Sequence, residues 1–100
     1  MGQRITPTVI YTTKQFGAVL RLLRTMFAWS QAEAGKRFHV VAGLVSLRET
    51  GQRAVNVQQA AEILAQHGYV LVVMHADDAA QIPRLTGDPY HAGTVVESDA

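Results

Sequence analysis

Residues 30–51, SQAEAGKRFHVVAGLVSLRETG, decide the fold because they predict two short helices joined by a tight turn. Ser30 is a favourable N-cap residue, and Glu33 follows it at the spacing of a capping box, in which two backbone amides are satisfied reciprocally. The first helix is therefore expected over residues 31–37. A helix this short is not stable alone in water, so it needs neighbours to pack against.

The second half of the stretch predicts a turn over residues 38–40 and a helix over residues 41–49. Apolar residues recur in this second helix at the spacing of one helical face. Gly51 lies just beyond its end, where a glycine commonly takes the left-handed conformation that stops a helix. The stretch is therefore predicted to hold a helix, a turn and a second helix.

Two further helices are predicted on either side of this stretch. The first covers residues 14–27, has Thr13 as its N-cap and carries its apolar residues on one face. The other covers residues 57–67 and begins after Asn56, with Gln59 as the capping-box partner. Their apolar faces offer the packing surfaces that the two short helices need.

Two segments rich in β-branched and aromatic residues predict strands over residues 8–12 and 69–74. The second is a continuous apolar run that would be prone to aggregation if it had no partner. We expect these segments to pair as a small two-stranded antiparallel element, or residues 69–74 to pair with their copy in a second subunit. The fold class predicted is therefore mainly α, with four to five helices and a small β element.

Length and composition restrict the class of protein. One hundred residues are expected to form one domain, and the absence of cysteine excludes disulfides, thiolate metal sites and cysteine nucleophiles. No apolar run approaches the length of a membrane span. The first residues have no signal-peptide pattern, so we expect a cytoplasmic protein without membrane contact.

Charge divides the chain into two parts. Residues 1–75 hold eight basic and three acidic residues, whereas residues 76–100 hold one basic and five acidic residues. The first part is expected to be the folded domain with its flanking strands, and its basic excess favours a polyanionic partner. The second part is expected to be an acidic, largely irregular tail, in which residues 94–96 are the one candidate for a short strand.

The pattern of residues resembles the XRE family, the lambda-repressor and Cro-like helix-turn-helix proteins. In that family an arginine late in the first helix, a Ser/Thr–Gln pair opening the second and a Glu-x-Gly closing the third recur at this spacing. The chain matches this pattern at Arg24, Ser30, Gln31, Glu49 and Gly51. A fourth helix followed by an apolar strand is similar to the HipB-type subgroup, in which the strand helps to form the dimer.

The resemblance implies that double-stranded DNA is the partner and that the helix over residues 41–49 lies in the major groove. Helix ends and the following loop would contact phosphates through Gln31, Lys36, Arg37 and Arg53. The positions that would read bases are Val41, Ala42, Gly43, Ser46 and Leu47. Arg24 and Glu49 correspond to a structural ion pair that joins the first helix to the end of the third.

Three positions depart from the family pattern. His39 stands where a glycine usually occupies the turn, so it is expected to adopt a positive φ. Gly35 is expected to weaken its helix by about 1 kcal/mol relative to alanine. Arg48 replaces an apolar residue, and it would either reach a phosphate or pair with an acid.

The base-reading positions are unusually apolar, and Ser46 alone offers a hydrogen-bonding side chain. Contacts to thymine methyl groups, phosphate contacts and DNA shape would then carry the selectivity. The alternative is that this helix packs against protein and that the fold no longer binds DNA. Lys36 and Arg37 have an alternative role as well, because cations at a helix end offset the helix dipole.

No catalytic or cofactor site is expected. The four histidines are never three or four residues apart, which excludes a helical pair of metal ligands. The sequence has no P-loop, no nucleophile elbow and no Gly-rich dinucleotide turn. We therefore expect a binding protein that is not an enzyme and that carries no metal or cofactor.

The sequence favours a DNA-binding transcriptional regulator of phage or bacterial type, Cro-like or repressor-like, acting as a homodimer. One alternative is an antitoxin of the HipB type that binds DNA and also engages a toxin through residues 76–100. The alternative of another class is a helix-turn-helix scaffold used only for protein–protein interaction.

Overall fold

The computed structural model describes residues 4–82 in full, together with the backbone of residues 84–85 and 95–96. The described residues are mainly helical. They form α1 (Thr13–Met26), α2 (Gln31–Phe38), α3 (Ala42–Glu49), α4 (Val57–Gln66) and the single turn α5 (Ala76–Ala79). The first four helices lie within one residue of their predicted bounds.

The beginnings of α1 and α4 follow from reciprocal side-chain caps. At α4, the Asn56 side chain accepts from the backbone N–H of Gln59, and the Gln59 side chain accepts from that of Asn56. This capping box is the predicted one. At α1, the cap is Thr12 with Gln15 as its partner, one residue earlier than expected.

The capping box predicted for α2 is only half formed. The Ser30 hydroxyl accepts the Glu33 backbone N–H at 3.0 Å. The Glu33 carboxylate does not return to Ser30 but accepts from Arg37 one turn along the helix, at 3.1 Å. An arginine four residues on competes successfully for this acid because it brings a full charge to the hydrogen bond.

The turn between α2 and α3 depends on the left-handed conformation of His39 and on the absence of a side chain at Gly35. His39 ends α2 with φ 60° and ψ 40°, the left-handed conformation expected of it. The Val40 N–H then donates to the Gly35 carbonyl at 2.9 Å. A Cβ on Gly35 would lie 2.5 Å from the Val40 carbonyl oxygen, so a glycine is required for the turn to close.

The core lies between α1 and the helices that cross it. Ala18, Val19 and Leu23 of α1 pack against Leu64 of α4 and form its buried centre. Gly17 lets α1 approach the end of α3 so closely that a Cβ there would overlap the backbone carbonyl groups of that end. This contact fixes the angle at which α3 leaves the body of the domain.

The two predicted strands are not formed within the single chain. Residues 69–75 carry no strand hydrogen bonds, and within residues 8–12 only Val9 makes an isolated bridge. Apart from that bridge, residues 8–12 and 69–74 form no regular secondary structure. A strand needs a partner to be stable. Pairing of residues 69–74 with a second copy was the alternative prediction, and a single chain does not test it.

A short antiparallel pair is present elsewhere. Strand β1 (Arg84–Leu85) pairs with β2 (Val95–Val96) in the register Arg84 with Val96 and Leu85 with Val95. Strand β2 falls within residues 94–96, the one short strand expected in this segment, whereas β1 and α5 fall where an irregular chain was expected. Residues 1–3, 83, 86–94 and 97–100 are outside the described residues, and so is most of the predicted tail over residues 76–100.

Candidate nucleic-acid interface

One side of α3 faces solvent and carries almost no polar side chain. Val41, at its N-cap, is 73% exposed, and Gly43 is exposed with nothing near its Cβ position. Ala42, Ser46 and Leu47 are half-buried on the same helix. The five predicted base-reading positions therefore all keep some surface accessible to a partner, and α3 offers a narrow, smooth ridge.

The opposite side of α3 attaches the helix to the domain. Val45, Arg48 and Glu49 are buried there. No side chain caps the start of α3, so the first backbone amides of the helix lie at its exposed end next to Val41. The helix is thus held by its C-terminal half and presents its N-terminal half outward.

A bidentate ion pair fixes the end of α3 to α1. Arg24 Nε donates to Glu49 Oε2 at 2.5 Å, and its Nη2 donates to Oε1 at 3.0 Å. The remaining Nη1 donates to the Trp29 carbonyl at 2.9 Å, which secures the chain just before α2. The Glu49 side chain is 4% exposed. Burying its negative charge would be costly without the hydrogen bonds from its partners.

Gln31 joins the same network. Its side-chain amide donates from Nε2 to Glu49 Oε1 at 3.3 Å, and the residue is half-buried at the start of α2. The sequence predicted that Gln31 contacts a phosphate, and this stays a prediction. The structure orients the side chain toward the ion pair, and the second N–H of the amide group stays available to another acceptor.

The predicted cationic residues lie beyond both ends of α3. Lys36 and Arg37 are exposed at the end of α2, and Arg53 is exposed in the loop after α3. Arg37 is partly engaged, because it donates to Glu33 and lies 4.2 Å from the centre of the Trp29 ring. Within residues 4–82, no acid forms a salt bridge with Lys36 or Arg53.

Arg48 is a residue whose role the sequence left open. It is 8% exposed, and its Nε is buried without a hydrogen-bond partner. Burial lowers the pKa of its guanidinium, and the neighbouring charge of Arg53 lowers it further. No carboxylate in the described part of the chain pairs with it, so the pairing expected as one alternative is not found there.

His67 is buried, which the sequence did not predict. The His67 ring lies among three aromatic rings, with centroid distances of 4.7 Å to Phe27, 4.9 Å to Trp29 and 5.9 Å to Phe38. Its Nδ1–H donates to the Ile63 carbonyl at 2.9 Å. Burial is the main cause that lowers the pKa of His67, so the neutral ring is the favoured form.

Other site types find no support in residues 4–82 and the two short strands. No group of three or more metal-binding side chains is gathered there. Nor does any helix of that part combine the length and the apolar character that crossing a bilayer requires.

Helices α2 and α3, their left-handed turn and the supporting α1 and α4 define a helix-turn-helix fold. A search of family models found no match for the chain, and no curated protein matches it either. Among solved structures, the chain is similar to HipB in a complex of a HipB variant with the O2 20mer. The TM-score is 0.59 at 21% sequence identity, over 71% of this chain and 99% of that one. This similarity supports the helix-turn-helix fold.

Proposed function

We propose that the chain is a sequence-specific, double-stranded DNA-binding regulator that places α3 in the major groove. One observation carries this proposal. The smooth exposed ridge of α3 bears no charge of its own and is bracketed by Lys36 and Arg37 at one end and Arg53 at the other. A duplex presents apolar thymine methyl groups and base edges between two rows of phosphates, which is the complementary arrangement.

The small side chains of α3 favour a close approach to base edges. Gly43 adds no side chain, and Val41 offers methyl groups that fit the thymine methyl. Ser46 supplies the hydroxyl group that accepts from or donates to a base edge. Selectivity then depends largely on apolar contacts and on how readily the DNA sequence adopts the required shape.

The network at Glu49 supports a second proposed contact, from Gln31 to a phosphate. It holds Gln31 at the start of α2, where the helix N-terminus favours a phosphate. Arg53 and Lys36 have exposed side chains that are free to reach the backbone on either side of the groove. These contacts would fix the register of α3 on the duplex, whereas α3 itself would select the sequence.

The similar solved structure supports a nucleic-acid partner, since HipB is held there with the O2 20mer. By the same analogy, we propose a cytoplasmic regulator of the repressor or Cro-like kind, which is a binding protein rather than an enzyme. The apolar segment over residues 70–74 is exposed, with Val73 fully so, and this supports a homodimer formed by that segment.

Binding to a labelled random-sequence duplex tests DNA binding directly. If about four phosphates are contacted, the affinity falls roughly a hundredfold between about 50 and 200 mM salt, because counterions are released. Arg53→Gln and Lys36→Gln each reduce this slope. Arg4→Gln removes an exposed cation from the N-terminal segment, outside the proposed contact, and leaves the slope unchanged.

The similarity to HipB favours one further candidate, an antitoxin that binds DNA and engages a toxin through residues 76–100. Deleting residues 76–100 distinguishes a plain regulator from an antitoxin. A plain regulator keeps its DNA affinity or gains some, because repulsion between acidic residues and phosphate is removed. It also has no toxin binding to lose. A chain that binds no DNA even at low salt is instead a scaffold for protein–protein interaction.

A further inference from the structure

A concave surface lies next to the end of α3. It is a groove of about 370 Å³ between the start of α1, the loop after α3 and the start of α4. Arg48 and Arg53 lie in it, with Phe16, Val57 and Leu71 among its apolar walls. We call it the arginine groove.

Within residues 4–82, no acid compensates the positive charge of the arginine groove. None of the described residues that line it is an aspartate or a glutamate. Arg48 is more than nine-tenths buried, its Nε has no hydrogen-bond partner, and no described acid forms a salt bridge with either arginine. Arg48 and Arg53 carry like charges in one partly desolvated groove and therefore repel. An anion bound to both would relieve the repulsion and the cost of burying an unpaired charge.

We propose that the arginine groove binds a small organic anion, with a carboxylate or phosphate group held by Arg48 and Arg53 and an apolar body against the walls. The planar fork of a guanidinium group donates two parallel hydrogen bonds to a carboxylate or to a phosphate. The volume is that of a small-molecule site, and apolar walls with a few convergent polar groups are typical of one.

The burial of Arg48 decides against a nucleic-acid backbone as the occupant. A duplex is a broad, rigid partner that contacts exposed cations, and a residue 8% exposed at the base of a groove is not within its reach. Arg53 is exposed and accessible to both partners. A bound anion would therefore engage Arg53, the same cation that is expected to contact a phosphate of the DNA.

This overlap gives the groove a regulatory role, which rests on the proposed DNA binding. Occupation of the groove offsets the charge of Arg53 and engages its N–H donors, which are then no longer available to a phosphate of the duplex. DNA affinity then falls as the anion concentration rises, and by linkage DNA weakens the binding of the anion by the same factor.

The test is an amide-resolved NMR titration of the whole chain with benzoate, with its neutral analogue benzyl alcohol, and with inorganic phosphate. We expect saturable shifts at residues 48–57 with benzoate and at least about tenfold weaker binding of the other two, since they lack the charge or the apolar body. Equal shifts with benzyl alcohol, or no saturable shift with benzoate, would overturn the proposal.

Variants locate the site. Arg53→Gln, at an exposed position, is expected to weaken benzoate at least about tenfold, as is Arg48→Met. Lys36→Gln, at an equally exposed position on α2, leaves the affinity unchanged. Unaltered binding by Arg53→Gln would overturn the assignment. The titration contains no DNA, so a chain that binds benzoate but not a duplex retains the groove and loses the proposed function.

Discussion

Glu49 accepts hydrogen bonds from Arg24 and Gln31 at a position almost closed to solvent. Glu49→Ala leaves the Arg24 guanidinium partly buried without its partner, and α3 loses the ion pair that joins it to α1. We expect the free energy of unfolding in a urea titration to fall by about 3–5 kcal/mol.

The matched control is Glu33→Ala, which removes an exposed partner from the Arg37 pair. Exposed pairs of this kind contribute at most about 1 kcal/mol. A loss at Glu49 no larger than the loss at Glu33 would remove the buried pair from the account of how α3 is held.

His67 makes stability depend on pH. Above the ordinary histidine pKa of about 6.5, the ring is neutral in both the folded and the unfolded chain, so it does not make the free energy of unfolding depend on pH. Below it, the unfolded chain takes up the proton first, because burial and the nearby charge of Arg37 lower the pKa in the folded state. The free energy of unfolding therefore decreases as pH falls below neutral.

His67→Phe keeps an aromatic ring in the cluster and removes the titrating group. We expect it to flatten this decline when urea titrations are compared between about pH 7 and pH 5. His39→Asn suits the left-handed turn and should leave the decline intact. A His67→Phe protein that still loses stability as steeply as the parent would contradict this role.

Single residues were predictable where local geometry determines them. The resemblance predicted the left-handed conformation of His39, which stands where the family usually has a glycine in the turn. It also located Arg24 and Glu49, which lie in contact. The buried state of Arg48 and His67 was not predictable, because it depends on how separate helices pack. The orientation of Gln31 toward Glu49 has the same origin.

At the scale of elements, the crossing of α1 and α3 depends on Gly17. A Cβ there would overlap the carbonyl groups of Arg48 and Glu49, which are backbone atoms and cannot move aside. We expect Gly17→Ala to reduce the free energy of unfolding by about 2 kcal/mol or more, although alanine favours a helix.

Gly43→Ala provides the control, because nothing lies within 4 Å of its Cβ position in α3. Only the higher helix propensity of alanine then matters, so the free energy of unfolding should rise by up to about 1 kcal/mol. Urea titration of both variants separates the two effects. If both glycines gave the same gain, the close crossing of α1 and α3 would be wrong.

The four main helices were predictable because apolar periodicity and the capping side chains of α1, α2 and α4 are local signals. The β element was not, since a strand is completed only by a partner that local sequence does not specify. Residues 8–12 and 69–74 have strand composition, yet neither finds a ladder within the single chain. The requirement for glycine at position 35 also comes from contact across the turn, which helix propensity does not describe.

For the whole molecule, the exposed apolar segment predicts association of two copies. Val73→Lys places a charge at a fully exposed position and should leave the helical content unchanged. We expect sedimentation to find the parent chain as a dimer and this variant as a monomer. Ala61→Lys, on the exposed side of α4, should stay dimeric. A monomeric parent chain would contradict the dimer.

The central claim is that the exposed ridge of α3 enters the major groove, and Gly43→Asp tests it most directly. Nothing lies near this Cβ position, and an acid in the first turn of a helix is stabilising, so the fold is retained. With DNA sites selected by the parent chain, we predict an affinity loss of at least about tenfold in fluorescence anisotropy, because the carboxylate repels the duplex. Ala61→Asp on α4 should bind as the parent does, whereas unchanged binding by Gly43→Asp would contradict the account.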